Sequence, residues 1–258
     1  MRTSFLSQTI LFVYCLLVSS TVNSQTLPNV QTDALWLPKT FQIDGKLSEW
    51  NGTLKAFNKA AIVKYTMAND AKNLYLAISS DDPTTTAKIL AGGITLQIGG
   101  APSNSSAITY PVTYNTYSYV ETGWPVKTFK LLSDSTNIAS AMSDFKEIKV
   151  RDIKGISDSI VSIYNEYGLK NAMNYTNKTL VWEFSIPLDR VGISFSQATA
   201  LNYLIRINGV PVPPRPAGTT MPQKLPPPTV IPRGAVIIME NEVQLPTHFD
   251  GKYPLAKM

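Results

Sequence analysis

Cysteine is almost missing: the 258-residue chain holds one, Cys15, and it lies inside an apolar run near the N-terminus. If that run is a removed leader, the mature chain has no thiol, which excludes disulfides, thiolate metal sites and cysteine nucleophiles together. Histidine is as scarce, with His248 alone, so a Ser-His-Asp triad or a multi-histidine metal site would hinge on one residue near the C-terminus. A satisfied or solvated histidine is the competing reading. Charge is sparse too, at 16% of residues, and the excess of 23 Lys+Arg over 18 Asp+Glu is scattered. Lys55, Lys59, Lys64 and Lys72 are separated by apolar residues, and a nucleic-acid binder needs a concentrated basic face. No Gly-x-Ser-x-Gly, phosphate loop or His-Glu-x-x-His occurs, so no known catalytic constellation is legible and a non-enzymatic protein is expected.

Long hydrophobic runs are also absent after the first twenty residues. Arg2 followed by Ile10–Val18 and the small residues Val22-Asn23-Ser24 reads as a signal peptide, 1–24, with Gln25 as the new N-terminus. The apolar run is too short for a membrane span, which disfavours the alternative of an uncleaved anchor. Tyr14 before Cys15 is too bulky for a lipoprotein cleavage site. Export is therefore expected, to the periplasm, cell envelope or exterior of a bacterium, with no transmembrane span. The sequons at Asn51, Asn104, Asn174 and Asn177 matter only in a eukaryotic host.

What is present is period-two alternation. Residues 25–40 form a polar N-terminal tail that lays one aromatic on the core, and 41–258 reads as a single β-sandwich domain. Val63, Tyr65 and Met67 share a face, and after the turn at Ala68–Ala71 so do Leu74, Leu76 and Ile78: a hairpin. Thr84–Ala91, capped at Asp82 and stopped by Gly92-Gly93, is the one short helix. Ile94, Leu96 and Ile98 form the next strand, and Ala101–Ser106 a loop of small polar residues. Tyr110, Val112 and Tyr114 alternate after it. Ile148 with Val150, and Ile160–Tyr164, give two more strands. Gly168–Tyr175 and Thr179–Pro187 form a hairpin around Asn177-Lys178, whose second arm puts Leu180, Trp182, Phe184 and Ile186 on one apolar face. Tyr203, Ile205 and Ile207 repeat the pattern, and Ala235–Met239 is a candidate last strand. Many short strands divided by turn signals indicate an all-β antiparallel sandwich. One stretch breaks the rhythm: 211–233 carries nine prolines with Arg215, Lys224 and Arg233 and no acidic residue. Such a long proline-rich loop cannot pair inside a sheet.

Several segments then fall into one order. Ile43-Asp44-Gly45-Lys46-Leu47-Ser48-Glu49-Trp50 resembles the opening motif of family-nine carbohydrate-binding modules and their DOMON-like relatives. Asn69–Ala77 is similar to their hairpin motif, Leu180–Leu188 to their strand carrying Glu183 and Ile186-Pro187, Leu201–Gly209 to the strand after it, and the tail Pro246–Leu255 to their closing motif. The resemblance spans most of 41–256. It implies a β-sandwich that binds sugars, sometimes beside calcium. The family's sugar clamp of two tryptophans is not matched, since Ala91–Thr95 and the proline-rich loop stand in its places. Haem-binding DOMON relatives use methionine or histidine ligands; Met67 and His248 are of those types but nothing pairs them, and no cofactor is expected.

The residues offered for ligand binding are Tyr114, Tyr117, Tyr119 and Trp124, because sugar C–H faces stack on exposed aromatic rings. Half-buried core packing competes for such strand aromatics. Trp50 is expected to plug the end of the sandwich. Asp81 with Asp82, and Glu240 with Glu242, are close carboxylates that would suit a glycosidase or calcium; turn capping and solvated alternation explain them as well. The expected function is a non-catalytic exported module touching a polysaccharide or cell-wall glycan. The alternative is a structural envelope protein that meets a protein partner through 211–233, and a hydrolase comes third.

Overall fold

A computed structural model describes residues 26–38, 41–50, 54–100, 105–113, 138, 141–209 and 244–257. Among the described residues, eleven strands form two antiparallel sheets. One has the order β1 (Ala56–Asn58), β2 (Val63–Asn69), β3 (Asn73–Ser80), β9 (Thr179–Pro187), β8 (Lys170–Thr176). The other runs β11 (Thr247–Pro254), β10 (Ala200–Ile207), β4 (Ile94–Gly99), β5 (Ser105–Tyr110), β6 (Glu147–Arg151), β7 (Ile160–Ser162). The sheets pack face to face. Val63, Tyr65, Met67, Leu74, Leu76, Ile78, Leu180, Trp182 and Phe184 from the first meet Leu96, Ile98, Ile108, Ile148, Tyr203, Ile205 and Phe249 from the second. This is the antiparallel β-sandwich that the alternation implies.

Local chemistry explains the elements. The β8–β9 turn carries Asn177 at φ 52° and Lys178 at φ 62°, the paired left-handed conformation of a two-residue hairpin turn. Helix α1 (Pro83–Gly92) starts where Asp82 accepts from Thr85 N at 2.7 Å, with Pro83 in the first turn. Tyr65 and Tyr203 join the sheets through hydroxyls 2.8 Å apart. Tyr110 stacks on Trp182 with centroids 6.5 Å apart, which confirms Trp182 as core.

Three expectations are corrected. The strand before Pro111 is Ser105–Tyr110, so Ser105 and Ser106, expected in a loop, pair with β4; small side chains do not prevent ladder pairing where the partner strand supplies the apolar surface. The N-terminal tail is built in: Gln31 is buried and donates to Met67 O at 2.8 Å while accepting Met67 N at 2.7 Å. Trp50 does not plug the end of the sandwich. It lies in a layer formed by Leu37, Phe41, Trp50 and Leu54 over the outer face of the five-stranded sheet, against Ala68, Tyr75 and Ala77. That layer is why β3 is buried on both faces.

Candidate functional site

The residues that carried the family resemblance are positioned by one another. Glu183 points from β9 into the outer layer, where it has no exposed surface. Its Oε2 accepts from Asp44 N at 2.9 Å and Gly45 N at 2.7 Å, and its Oε1 from Trp50 Nε1 at 2.5 Å. Burial pushes its carboxyl above the usual glutamate range, although the three N–H donors pull it down. Asp70 does the same for the β2–β3 turn. Burial alone would raise its carboxyl, but the N–H groups of Lys72 and Asn73, each at 2.6 Å, and the Tyr75 hydroxyl at 2.8 Å hold it below the usual range. Oxygens of Asp44, Glu49 and Glu183 lie within 4.8 Å of one another. Both Glu183 oxygens are already engaged by N–H groups and Asp44 pairs with Lys46 at 3.2 Å, so the cluster is accounted for as a fold staple.

The carboxylate pairs divide in the same way. Asp82 caps α1, and Asp81 is exposed, 3.9 Å from Lys64 Nζ. Glu240 and Glu242 lie outside the described residues. So do Tyr114, Tyr117, Tyr119, Trp124, the segment 211–233 and the candidate strand Ala235–Met239.

The described residues do show where those segments are anchored. Thr113, the last described residue before 114–137, donates its hydroxyl to Ala91 O at 2.6 Å. Asn208, next to the last before 210–243, donates its N–H to Gly93 O at 2.9 Å. Between them sits Gly92-Gly93. A Cβ at Gly93, whose φ is 79°, would stand 2.6 Å from Pro111 O, and one at Gly92 would meet Gly209 O. Only glycine lets both chain exits close on the start of β4.

Beside this junction the outer face of the six-stranded sheet carries a polar row. The register sets His248, Arg206, Thr95, Thr109 and Lys149 side by side across β11, β10, β4, β5 and β6, while Leu96, Ile205 and Ile207 alternate inward. Thr95 and Thr109 hydroxyls are 2.8 Å apart. Asn208 Nδ2 donates to Gly92 O at 2.9 Å and Thr95 Oγ1 at 3.0 Å. Arg206 is half-buried, its Nε–H is shielded from water, and it has no acceptor among the described residues. A buried donor without a partner is costly, so the Arg206 guanidinium is the group on this row best placed to donate to an external oxygen. Sequence reasoning missed it because a lone Arg inside an alternating strand looks like any solvated position.

No protein-family model matches the chain, and no curated protein matches it. Among solved structures it is similar to a family-nine carbohydrate-binding module from Caldicellulosiruptor kristjanssonii in complex with glucose, at 10% identity and a TM-score of 0.42, covering 88% of this chain and 97% of that one. A solved structure of a family-nine module from that organism in complex with cellotriose is similar at 12% identity and a TM-score of 0.34, covering 68% of this chain and 76% of that one.

Proposed function

We propose that the chain is an exported, non-catalytic module that binds a neutral or weakly charged glycan at the Gly92-Gly93 end of the six-stranded sheet. One observation carries the reading: the anchors of the aromatic-rich and proline-rich segments meet at the edge of a half-buried hydroxyl and amide row containing Arg206, whose Nε–H has no acceptor among the described residues. Hydroxyls, amides and an arginine fork are the donors and acceptors that sugar hydroxyls require, and the rings of Tyr117, Tyr119 and Trp124 would supply the stacking surface.

The test is retention on a glycan array and on insoluble polysaccharides, with the purified chain beginning at Gln25. Arg206→Ala and Trp124→Ala are expected to weaken binding at least about tenfold, the equivalent of one good polar or stacking contact. Unchanged retention in both variants overturns the site. Absence of binding to every glycan overturns the class, and pull-down of a protein partner lost on deleting 211–233 would then favour the structural alternative.

A further inference from the structure

The opposite end of the same sheet carries a second feature. Where β4 ends at Ile98-Gly99 and β5 begins at Ser105-Ser106, a cleft of about 510 Å³ opens against the turn Asp152–Lys154 and the 3-10 turn Leu188–Val191. Its walls are tied together. Ser106 Oγ donates to Asp152 O at 2.7 Å, Lys154 N to Arg190 O at 2.9 Å, and Arg190 Nη1 back to Lys154 O at 2.9 Å. The guanidinium also lies over the Tyr167 ring, 5.7 Å from its centroid. Room for it depends on Gly155: at φ 77° a Cβ there would stand 2.5 Å from Arg190 Nη1.

The charges are unbalanced. The one carboxylate in the lining, Asp152, already faces Arg151 Nε at 3.4 Å. Lys154 and Arg190 have no carboxylate partner among the described residues. Thus two cations, one of them a fork held in place by a backbone carbonyl and an aromatic face, look onto a floor formed by Ile98, Ile153 and Val191. Arginine held in this way matches a carboxylate through paired N–H donors, and the apolar floor suits the C–H face of a ring.

We propose that this cleft is a second binding site, for a saccharide unit bearing a carboxylate, of the size of a single uronate. The volume is in the range of small-ligand sites. The proposal rests on the glycan reading only for the carrier of the anion; its residues are separate from the row around Arg206.

The experiment is a titration of the isotopically labelled chain, followed by amide NMR shifts at constant ionic strength, with sodium galacturonate, galactose, sodium acetate and sodium sulfate as separate probes. Galacturonate is expected to give saturating shifts at Lys154, Gly155 and Gly192, with acetate much weaker and galactose silent there. Arg190→Gln should weaken the galacturonate affinity about tenfold or more, and Arg190→Lys by a smaller factor, since the charge stays and the fork is lost. Lys154→Gln, at an exposed side chain, repeats the test without touching the Tyr167 contact. Equal response to acetate, sulfate and galacturonate would reduce the cleft to an unselective ion site and overturn the proposal, as would no saturation or full affinity in both variants. Arg206→Ala is expected to leave these shifts unchanged, so failure at one end of the sheet is read separately from failure at the other.

Discussion

Replacing Glu183 with leucine tests whether the outer layer is held by a single carboxylate. Leucine keeps most of the volume but accepts nothing, so Gly45 N–H and Trp50 Nε1–H, both buried, lose their acceptor. Each orphaned buried donor costs about 1–3 kcal/mol, or roughly 2–6 kcal/mol together, and removing a desolvated carboxylate returns part of that. The expected loss is about 2–4 kcal/mol by urea unfolding, with Asp44 and Gly45 amides exchanging faster than the sheet. The pH dependence adds a sign. Burial raises the folded-state carboxyl above the ordinary glutamate value, so the folded state binds the proton more tightly than the unfolded chain does. The Glu183 contribution to stability is then full below the ordinary glutamate value and declines as pH rises through it to the folded value. Glu183→Leu lacks that decline. Combining it with Trp50→Phe should cost less than the sum, because the second change removes one orphaned donor. A loss below about 1 kcal/mol, or strict additivity of the pair, refutes the staple.

Two further outcomes follow from the packing. Gly45→Ala should cost about 1–3 kcal/mol, read as a lowered Tm, because φ is 80° there and the new Cβ would lie 3.2 Å from Asn174 Cβ and 3.3 Å from Met173 C. Tyr203→Phe and Tyr65→Phe should each cost about 1–2 kcal/mol, with Tyr65→Phe the larger since Gln31 N–H also loses its acceptor. Burial raises the hydroxyls of Tyr65, Tyr203 and Tyr253, the last to about 12. Stability should therefore be full below the ordinary tyrosine value of 10 and fall as pH rises from there toward 12, with phenolate absorbance appearing together with unfolding.

The sandwich was readable from alternation because both sheets bury one face. Leu74, Leu76 and Ile78 face the core as their spacing requires, and the Asn177-Lys178 turn sits where two left-handed residues are needed. The helix boundary followed from the Asp82 cap and the glycine pair. The outer layer was not readable. Period two marks Tyr75, Ala77 and Ser79 as the second face of β3 but does not say what covers it; the cover is Leu37, Phe41, Trp50 and Leu54, which have no period of their own. Strand β11 was hidden for a related reason, since Thr247–Pro254 alternates with His248, Asp250 and Lys252 outward but is interrupted by Gly251, over which the Tyr203 ring packs.

The sites were less legible than the fold because the family motif and the candidate ligand groups are different residues. Asp44-Gly45, Trp50, Asp70 and Glu183 are tied by hydrogen bonds within the protein, so their placement does not depend on what the sheet binds. Arg206 and Arg190 are less fully used inside the protein. Arg206 has no protein acceptor among the described residues, and Arg190 uses one N–H on a backbone carbonyl and leaves the rest of its fork to the cleft. A residue whose partner is not in the chain leaves no pattern in the chain. The discriminating experiment is therefore the exchange of stability for binding: substitutions at Glu183 or Asp70 should move the unfolding midpoint and alter binding only through loss of fold. Those at Arg206 should change retention while the midpoint stays within about 0.5 kcal/mol of wild type, the range of ordinary surface changes, and Lys154→Gln should do the same for the NMR shifts at the cleft, whereas Arg190 substitutions also lose the bond to Lys154 O.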